Sequence, residues 1–453
     1  MDDSEISARM REDWNARARE DAGYYVAFGR RGQDDSEFFA TATEVINALE
    51  AELRRVPAAE RARWKALEIG CGPGRLMRPM SRHFIEIHGV DISDEMIGLA
   101  REKLRDLPTA YPHVTAGANL ARFAQDSFDF IYSYAVFQHI PSRDVVFQYL
   151  REIRRVLKTG GLARLQFNGL PRSVESRGES RSEPYDTWAG ARFSSSDILE
   201  FTESQDFQVL ALEGVLTQYL WTTWRKRPQG WHAGHADRMG EAGSAEALDA
   251  KAAPRIRRIT NASSTEPVAP CRGRFASISI WIENLPPDAG LHDLRVVVGD
   301  SFATLTYIGP PDSSGLQQMV VLLPELEATG LLPVEIRRLE RSLAPPATLR
   351  IIPPGPSVPR LRSIRDGVNL VAENRIETRI VKMTLEEIAR PHEIEAAVGG
   401  HPAADLEFFC IDPRPQVFEV NFRLPEQIAP GRHPLEVRIG RRKLAPVMLE
   451  VTA

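Results

Sequence analysis

The stretch from Lys65 to Asp94 constrains the fold of this chain more than any other. Ala66, Leu67 and Ile69 read as a short apolar strand, and Gly70, Gly72 and Gly74 follow at alternate positions. Arg75 to His83 is compatible with a helix, and Ile85, Ile87 and Val90 read as a second strand that ends at Asp91. Strand, glycine loop, helix, strand and acid, in that order, form a unit that binds a nucleoside at the carboxyl edge of a parallel sheet. Alternate glycines remove Cβ atoms where the backbone turns sharply and a ligand lies against it. A carboxylate at the end of the second strand can accept hydrogen bonds from both ribose hydroxyls. Asp91 lies 21 residues after Gly70, close to the interval of about 20 that this geometry needs.

The glycine pattern is Gly-Cys-Gly-Pro-Gly rather than the dinucleotide form, and Glu68 sits two residues before it. A carboxylate there repels a pyrophosphate and attracts a cation. On these residues the chain resembles the class I S-adenosylmethionine (SAM) dependent methyltransferases of the 11/25-like type, over roughly residues 10 to 228. Glu68, Gly70, Gly72 and Gly74 match their acid-x-Gly-x-Gly-x-Gly motif, and Asp91 matches their second-strand acid. The resemblance implies that Glu68 and the loop, including Cys71, hold the methionine end of SAM. Asp91 and Ile92 then hold the ribose. Family members often carry an acid after the third strand for the adenine amino group. This chain has Asn119 there, so Asn119 or the backbone near Ala118 is expected to make that contact. Met96 reads either as an adenine contact or as core, and Ser133, at the end of the fourth strand, completes the expected cofactor set.

Before the loop, residues 4 to 21 read as a polar helix with Met10, Trp14 and Ala18 on one face, followed by Tyr24, Tyr25 and Phe28. It is either a helix docking its aromatics on the sheet or a lid in which Tyr24 and Tyr25 meet substrate. Residues 36 to 55 read as a second, amphipathic helix. After the loop, Ser93 suits an N-cap, and residues 113 to 120 form a plausible third strand and its loop. Asp129 opens a fourth strand and reads as structural. In Tyr134-Ala135-Val136-Phe137-Gln138-His139-Ile140-Pro141 the best-placed titratable group is His139. It reads either as a general base or as a scaffold histidine, and Gln138 as a substrate contact or as packing. Residues 169 to 190 form a long polar insertion after strand five, where loops close over substrate. Tyr185, Trp188 and Arg192 are its expected substrate contacts. Phe207 to Leu212 and Gln218 to Trp224 alternate as a terminal antiparallel pair. His232 and His235 lie in the linker that follows; with no third ligand they give no metal signature.

Formal net charge is −5, which argues against a nucleic acid or an anionic membrane as the main partner. The sequence holds no apolar run long enough to span a bilayer, and its acidic N-terminus does not read as a signal peptide. Cys71, Cys271 and Cys410 are widely spaced and fit neither a disulfide framework nor a zinc site. A reducing cytoplasm is the simplest compartment.

The last 200 residues or so are a duplication. Leu294-Arg-Val-Val-Val298-Gly299 recurs as Ile394-Glu-Ala-Ala-Val398-Gly399, Leu323-Pro324-Glu325 as Leu424-Pro425-Glu426, and Pro333-Val-Glu-Ile-Arg337 as Pro434-Leu-Glu-Val-Arg438. The offset stays at 100 or 101 residues. Units of this length with short alternating strands and Pro/Gly turns predict β-sandwiches. They resemble, more loosely, the bacterial immunoglobulin-like domains of the transcription-factor and plexin type.

The expected architecture is therefore a Rossmann-like α/β methyltransferase domain with a seven-stranded, mostly parallel sheet (1–228, with 1–55 a helical lid). A linker (229–252) and two all-β immunoglobulin-like sandwiches (253–355 and 356–453) follow. The expected activity is SAM-dependent methyl transfer to an oxygen of a small molecule or glycan. The sandwiches are expected to bind a protein partner or a second copy. The alternative is a non-catalytic protein that binds SAM or S-adenosylhomocysteine and acts through its sandwiches. A nicotinamide dehydrogenase is disfavoured by Glu68 and by the missing dinucleotide motif.

Overall fold

The computed structural model describes residues 3–27, 31–170, 187, 190–233, 253–339, 341–355, 358–367, 374–412 and 416–452. Helix α1 (Asp3–Ala27) opens the chain and leaves helical geometry at Asp21, whose backbone is extended. The single helix expected over 36–55 is two, α2 (Asp35–Ala40) and α3 (Thr43–Leu53). They part at Thr41, whose hydroxyl donates to the Phe38 carbonyl and competes with the helical ladder.

Next come α4 (Ala58–Arg61), β1 (Lys65–Ile69), α5 (Met77–Met80), β2 (Glu86–Asp91), α6 (Asp94–Lys103), β3 (Ala110–Val114) and β4 (Phe128–Ser133). They are followed by α7 (Arg143–Val156), β5 (Leu157–Phe167), α8 (Ser195–Ser204), β6 (Phe207–Glu213) and β7 (Leu220–Lys226). The helix expected from Arg75 to His83 shrinks to one turn plus a 3-10 turn; Pro79 inside it has no N–H to give. The third strand begins earlier than expected, at Ala110.

These strands lie in the order β3-β2-β1-β4-β5-β7-β6. Pairing is parallel from β3 to β5, and β7 runs antiparallel to both of its neighbours. This is the seven-stranded, mostly parallel α/β sheet expected from the sequence. Strand order reverses between β1 and β4, and the crevice at such a switch point is where these sheets hold ligands. Helix α7 shows how the sheet is covered. Ser142 caps it, and Val145, Val146, Tyr149, Leu150, Ile153 and Val156 form its buried stripe, each such side chain contributing roughly 1.5–3 kcal/mol.

The first β-rich repeat comprises β8 (Arg255–Asn261), β9 (Val268–Pro270), β10 (Ser277–Glu283), β11 (Leu294–Val298), β12 (Ser301–Pro311), β13 (Leu316–Leu322), β14 (Gly330–Arg338), β15 (Arg341–Ser342) and β16 (Ala347–Ile352). The second comprises β17 (Arg360–Asp366), β18 (Arg375–Ile376), β19 (Ile380–Glu386), β20 (Ile394–Val398), β21 (His401–Pro402), β22 (Ala404–Asp412), β23 (Val417–Arg423), β24 (Gly431–Ile439), β25 (Arg442–Lys443) and β26 (Val447–Val451). Pairing matches throughout, save that the one strand β12, which pairs with both β11 and β13, is two in the second repeat, β21 on β20 and β22 on β23. The run β8-β10-β13-β12 corresponds to β17-β19-β23-β22, and β11-β14-β16-β9 to β20-β24-β26-β18. The last pair is parallel in both repeats.

The chain falls into two compact units. One holds residues up to 16 and those from 43 to 354 apart from a short stretch near 177; the other holds 17–42 and 355 onward. Within the first unit the methyltransferase-like sheet and the first repeat share a hydrophobic core that runs from Phe207 and Val209 to Leu291 and Ile308. β12 pairs with β6 at Tyr307 and Ala211, and the Leu291 N–H donates to the Val209 carbonyl at 2.9 Å. The Gln208 amide donates to the carbonyls of Pro287 and Ala289. His232, from the expected linker, puts its ring 4.7 Å from that of His292; His235 lies outside the described residues. The second repeat has a core of its own around Val381, Met383, Val420, Phe422 and Val437. Among the described residues no helix is long and apolar enough to cross a membrane.

Candidate active site

β1 delivers Glu68 into the switch-point crevice, where the side chain is buried. β4 places Tyr132 directly opposite, and its hydroxyl donates to Glu68 Oε2 at 2.8 Å. Burial pushes the Glu68 carboxyl up to about 8, against the Tyr132 hydrogen bond and the Arg75 charge that favour the carboxylate. A carboxyl so poised gains from a cation beside it.

The loop after β1 is packed too tightly for side chains at Gly70 and Gly74. Gly70, Gly72 and Gly74 all have positive φ. A Cβ on Gly70 would fall 2.3 Å from Val136, and one on Gly74 would fall 2.7 Å from Leu104. Cys71 is buried and packs where Gly89 of β2 leaves room for its sulfur. At the end of β2 the Asp91 carboxylate accepts the Gly72 N–H on Oδ2 and the Ser93 N–H on Oδ1, both at 2.9 Å. One oxygen is thus tied to the glycine loop and the other to the start of α6. Each keeps a lone pair for a diol. Burial raises the Asp91 carboxyl, and these N–H donors oppose the rise. Donor set and shape together fit a nucleoside with a cationic tail.

The other cofactor candidates are placed as follows. Ile92 and Met96 are buried, and Met96 belongs to the packed face of α6. Ser133 is fully buried, and its hydroxyl donates to the Ile69 carbonyl at 3.1 Å, holding β4 to β1. Ala118 and Asn119 line a cavity of about 490 Å³ together with Ser7, Arg11 and Gln148. The Asn119 side-chain oxygen accepts the Ala121 N–H. Asp129 accepts the Lys65 N–H and an ion pair from Lys158, the structural role read from its position.

The first half of α1 forms part of this site. Arg11 donates to the Thr115 carbonyl (2.9 Å), and Asn15 Oδ1 accepts the Ser93 hydroxyl (2.6 Å). Trp14 meets His139 edge-on with ring centroids 5.5 Å apart. Thr187, near the end of the insertion, donates to Asp13 (2.7 Å). Tyr24 and Tyr25, the expected lid residues, fall in the other compact unit. There Arg31 stacks over Tyr24, and the Tyr25 hydroxyl donates to Glu20.

His139 and Gln138 lie in a buried 3-10 turn after β4, with Gln138 Nε2 and His139 Nε2 3.3 Å apart. The residue 190–192 segment runs beside this turn, since the Gly190 N–H donates to the Gln138 carbonyl and the Ala191 N–H to that of Ile140. Arg192 lines a second cavity of about 420 Å³ with Gly169, Leu170, Phe193 and Leu216. Tyr185 and Trp188 lie outside the described residues. Sequence reasoning missed Tyr132, Arg11, Asn15 and Gln166. A tyrosine hydroxyl in the apolar middle of a strand was the one available signal for Tyr132.

A parallel sheet of this order, with an acid, a glycine loop and a second-strand acid at its switch point, defines a nucleoside-binding α/β domain. A family model described as a methyltransferase domain matches residues 67–165. This stretch is a class I SAM-dependent methyltransferase domain, and SAM is the methyl donor of that class. Ubiquinone biosynthesis O-methyltransferase of Roseobacter denitrificans is 36% identical over 100 residues, 22% of this chain and 38% of that one. Phosphoethanolamine N-methyltransferase 2 of Caenorhabditis elegans is 32% identical over 97 residues, 21% of this chain and 22% of that one. The chain spans less than half the length of either relative. Among solved structures, magnesium protoporphyrin IX methyltransferase from Synechocystis is 14% identical, covers 48% of this chain and 99% of that one, and gives a TM-score of 0.38.

Proposed function

We propose that this chain transfers a methyl group from SAM to an oxygen of a small molecule or glycan. The observation that carries the donor half is the Glu68–Tyr132 pair facing the glycine loop and the doubly anchored Asp91. Bound SAM supplies a methyl group on a sulfonium, which needs an in-line nucleophile and little else. Asp91 orients the ribose, and Ala118 with Asn119 borders the adenine end. Glu68 neutralises the cationic methionine end. Arg11, Trp14 and Asn15 exclude water from above. His139 serves as general base, and Arg192, Tyr185 and Trp188 are assigned to the acceptor; Gln138 instead spends its amide on Gln166 and His139. An oxygen acceptor agrees with the names of the O-methyltransferase relatives. We assign residues 253–355 and 356–453 to immunoglobulin-like sandwiches that engage a partner, a second copy or a polymeric acceptor. Cys71, Cys271 and Cys410 form no disulfide with one another, which suits a reducing cytoplasm.

Calorimetric titration with S-adenosylhomocysteine, with NAD as control, tests the reading. Saturable binding of the first alone is expected, and its loss in Asp91→Ala. Unchanged affinity in that variant would overturn the ribose assignment. Glu68 adds a pH signature. Its carboxyl is raised to about 8 and must lose its proton beside a cationic ligand. SAM affinity is therefore expected to fall as pH drops below 8, by up to about tenfold per unit. Titrations in buffers of different ionisation enthalpy should show up to one proton released at pH 7. No release would remove Glu68 from the cation site.

A further inference from the structure

The turn that carries His139 is held by a chain of amides whose orientation follows from backbone groups that have only one role to play. Ala135, just past β4, has a left-handed backbone (φ 56°), a conformation a non-glycine residue holds only where its surroundings enforce it. Its N–H donates to Gln166 Oε1 at 2.8 Å. A backbone N–H can only donate, so Gln166 presents its oxygen there. The Gln166 NH2 group then faces the carbonyls of Phe167 (2.7 Å) and Gln218 (3.0 Å) and the side-chain oxygen of Gln138 (3.1 Å), and shares its two protons among these three acceptors. Two backbone acceptors confirm that orientation independently of Ala135.

With its oxygen committed to Gln166, Gln138 turns its own NH2 group toward His139 Nε2 at 3.3 Å. An amide NH2 offers protons and no lone pair. His139 must therefore present a lone pair on Nε2 and carry its ring proton on Nδ1. All three side chains are buried, so water does not scramble the order. The Gly190 strap closes on the same turn, because a Cβ there would fall 2.6 Å from the Gln138 carbonyl.

We infer that Gln166 and Gln138 are positioning residues that fix His139 as the neutral Nδ1–H tautomer, with Nε2 the nitrogen that receives a proton. The last clause rests on the general-base reading of His139; the tautomer does not. In the reaction the acceptor hydroxyl displaces the Gln138 N–H from the Nε2 lone pair and gives its proton there, while its oxygen bonds the methyl carbon and the carbon–sulfur bond of the donor breaks. The ring then gains the positive charge that the donor sulfur loses. The long Gln138 contact leaves that lone pair weakly held. An imidazolium, by contrast, sets N–H against N–H there, which favours rapid return of the proton.

The test is made on the full chain without substrate. Histidine is labelled with 15N in the ring, and two-bond proton–nitrogen correlation spectra identify the tautomer, since Nε2 couples to both ring C–H protons and Nδ1 strongly to one. The His139 signals are assigned by their loss in His139→Gln. The expected wild-type result is a protonated Nδ1 and an unprotonated Nε2; a protonated Nε2 overturns the proposal. Gln138→Glu replaces the donor with an acceptor and should move the proton to Nε2. Gln166→Glu should do the same from one residue further away by turning the Gln138 amide over. A folded Gln138→Glu protein whose tautomer is unchanged overturns the relay. SAM binding measured on the same samples separates failure of this inference from failure of the methyltransferase reading.

Discussion

The two β-rich repeats have the same strand pairing and different histories of contact. In the first, the loop between β10 and β11 spans residues 284–293; the matching loop between β19 and β20, residues 387–393, is three residues shorter. The longer loop supplies Pro287, Ala289 and Leu291, which bond Gln208 and Val209 of β6. By strand register Tyr307 corresponds to Glu407. Tyr307 joins β6 and lies under the Arg55 guanidinium, 5.4 Å from its ring, whereas Glu407 is exposed. His292, half-buried against Leu199 and Thr202, corresponds to the exposed His392. A buried Arg338–Asp293 ion pair, widened by Asp288, stands where the second repeat has Ile439 and Glu393. A duplicated module has thus been built into an enzyme-like sheet by one loop extension and a few side chains, with no change of topology.

The hardest way to break this comparison is to cut the chain. A protein ending after residue 228 loses the partners of Gln208, Val209 and Ala211. We expect it to be insoluble, or to melt on the order of 10 °C lower than a protein ending after residue 354. Equal melting temperatures and equal S-adenosylhomocysteine affinity for the two would mean that the first repeat merely adjoins the sheet. A smaller effect is expected from exchanging matched residues. Tyr307→Glu removes the ring from under Arg55 and puts a carboxylate among Glu52, Arg55, Glu213 and Arg164, and the lost packing should cost about 1–3 kcal/mol in denaturant unfolding. Glu407→Tyr should stay within about 0.5 kcal/mol. Comparable losses in both would erase the distinction between the repeats.

The smallest effect is a pH dependence. Burial lowers the basicity of His292, against the Leu199 carbonyl that favours its charged form. His292 Nδ1 has no hydrogen-bond partner among the described residues. A histidine depressed in the folded state stabilises above its unfolded pKa of about 6.5, and that stability is lost as pH falls further. Acidification from pH 7 to 5 should therefore lower the melting temperature less in His292→Gln than in wild type. His392→Gln should follow the wild-type curve. Identical curves for all three would remove His292 from the joint.

What the sequence disclosed was local. The glycine loop and Asp91 act through spacing along one strand–loop–strand unit, and spacing is written in the chain. The duplication was legible for the same reason. Tyr132 meets Glu68 only through the register of two strands separated by 64 residues. The Met10–Trp14–Ala18 face announced that α1 docks, but Arg11 and Asn15 meet the site only once it has docked, and nothing in their spacing marks them. The aromatic pair Tyr24–Tyr25 lies beyond a break at Asp21 that cannot be read from its residues, in the other compact unit. The joining of β6 to β12 depends on a polar amide, Gln208, reaching carbonyls about 80 residues away.

That joining also bears on how the molecule avoids sticking to others of its kind. The outer rim of an open sheet is a row of unused donors and acceptors, a template for any extended chain that drifts past. On one rim of this sheet β12 has taken up the place beside β6. On the opposite rim β3 carries Pro112 in its middle, which has no N–H to offer a newcomer. The first repeat is therefore a cover as much as a module. A variant that loosens it should betray itself first as turbidity on standing.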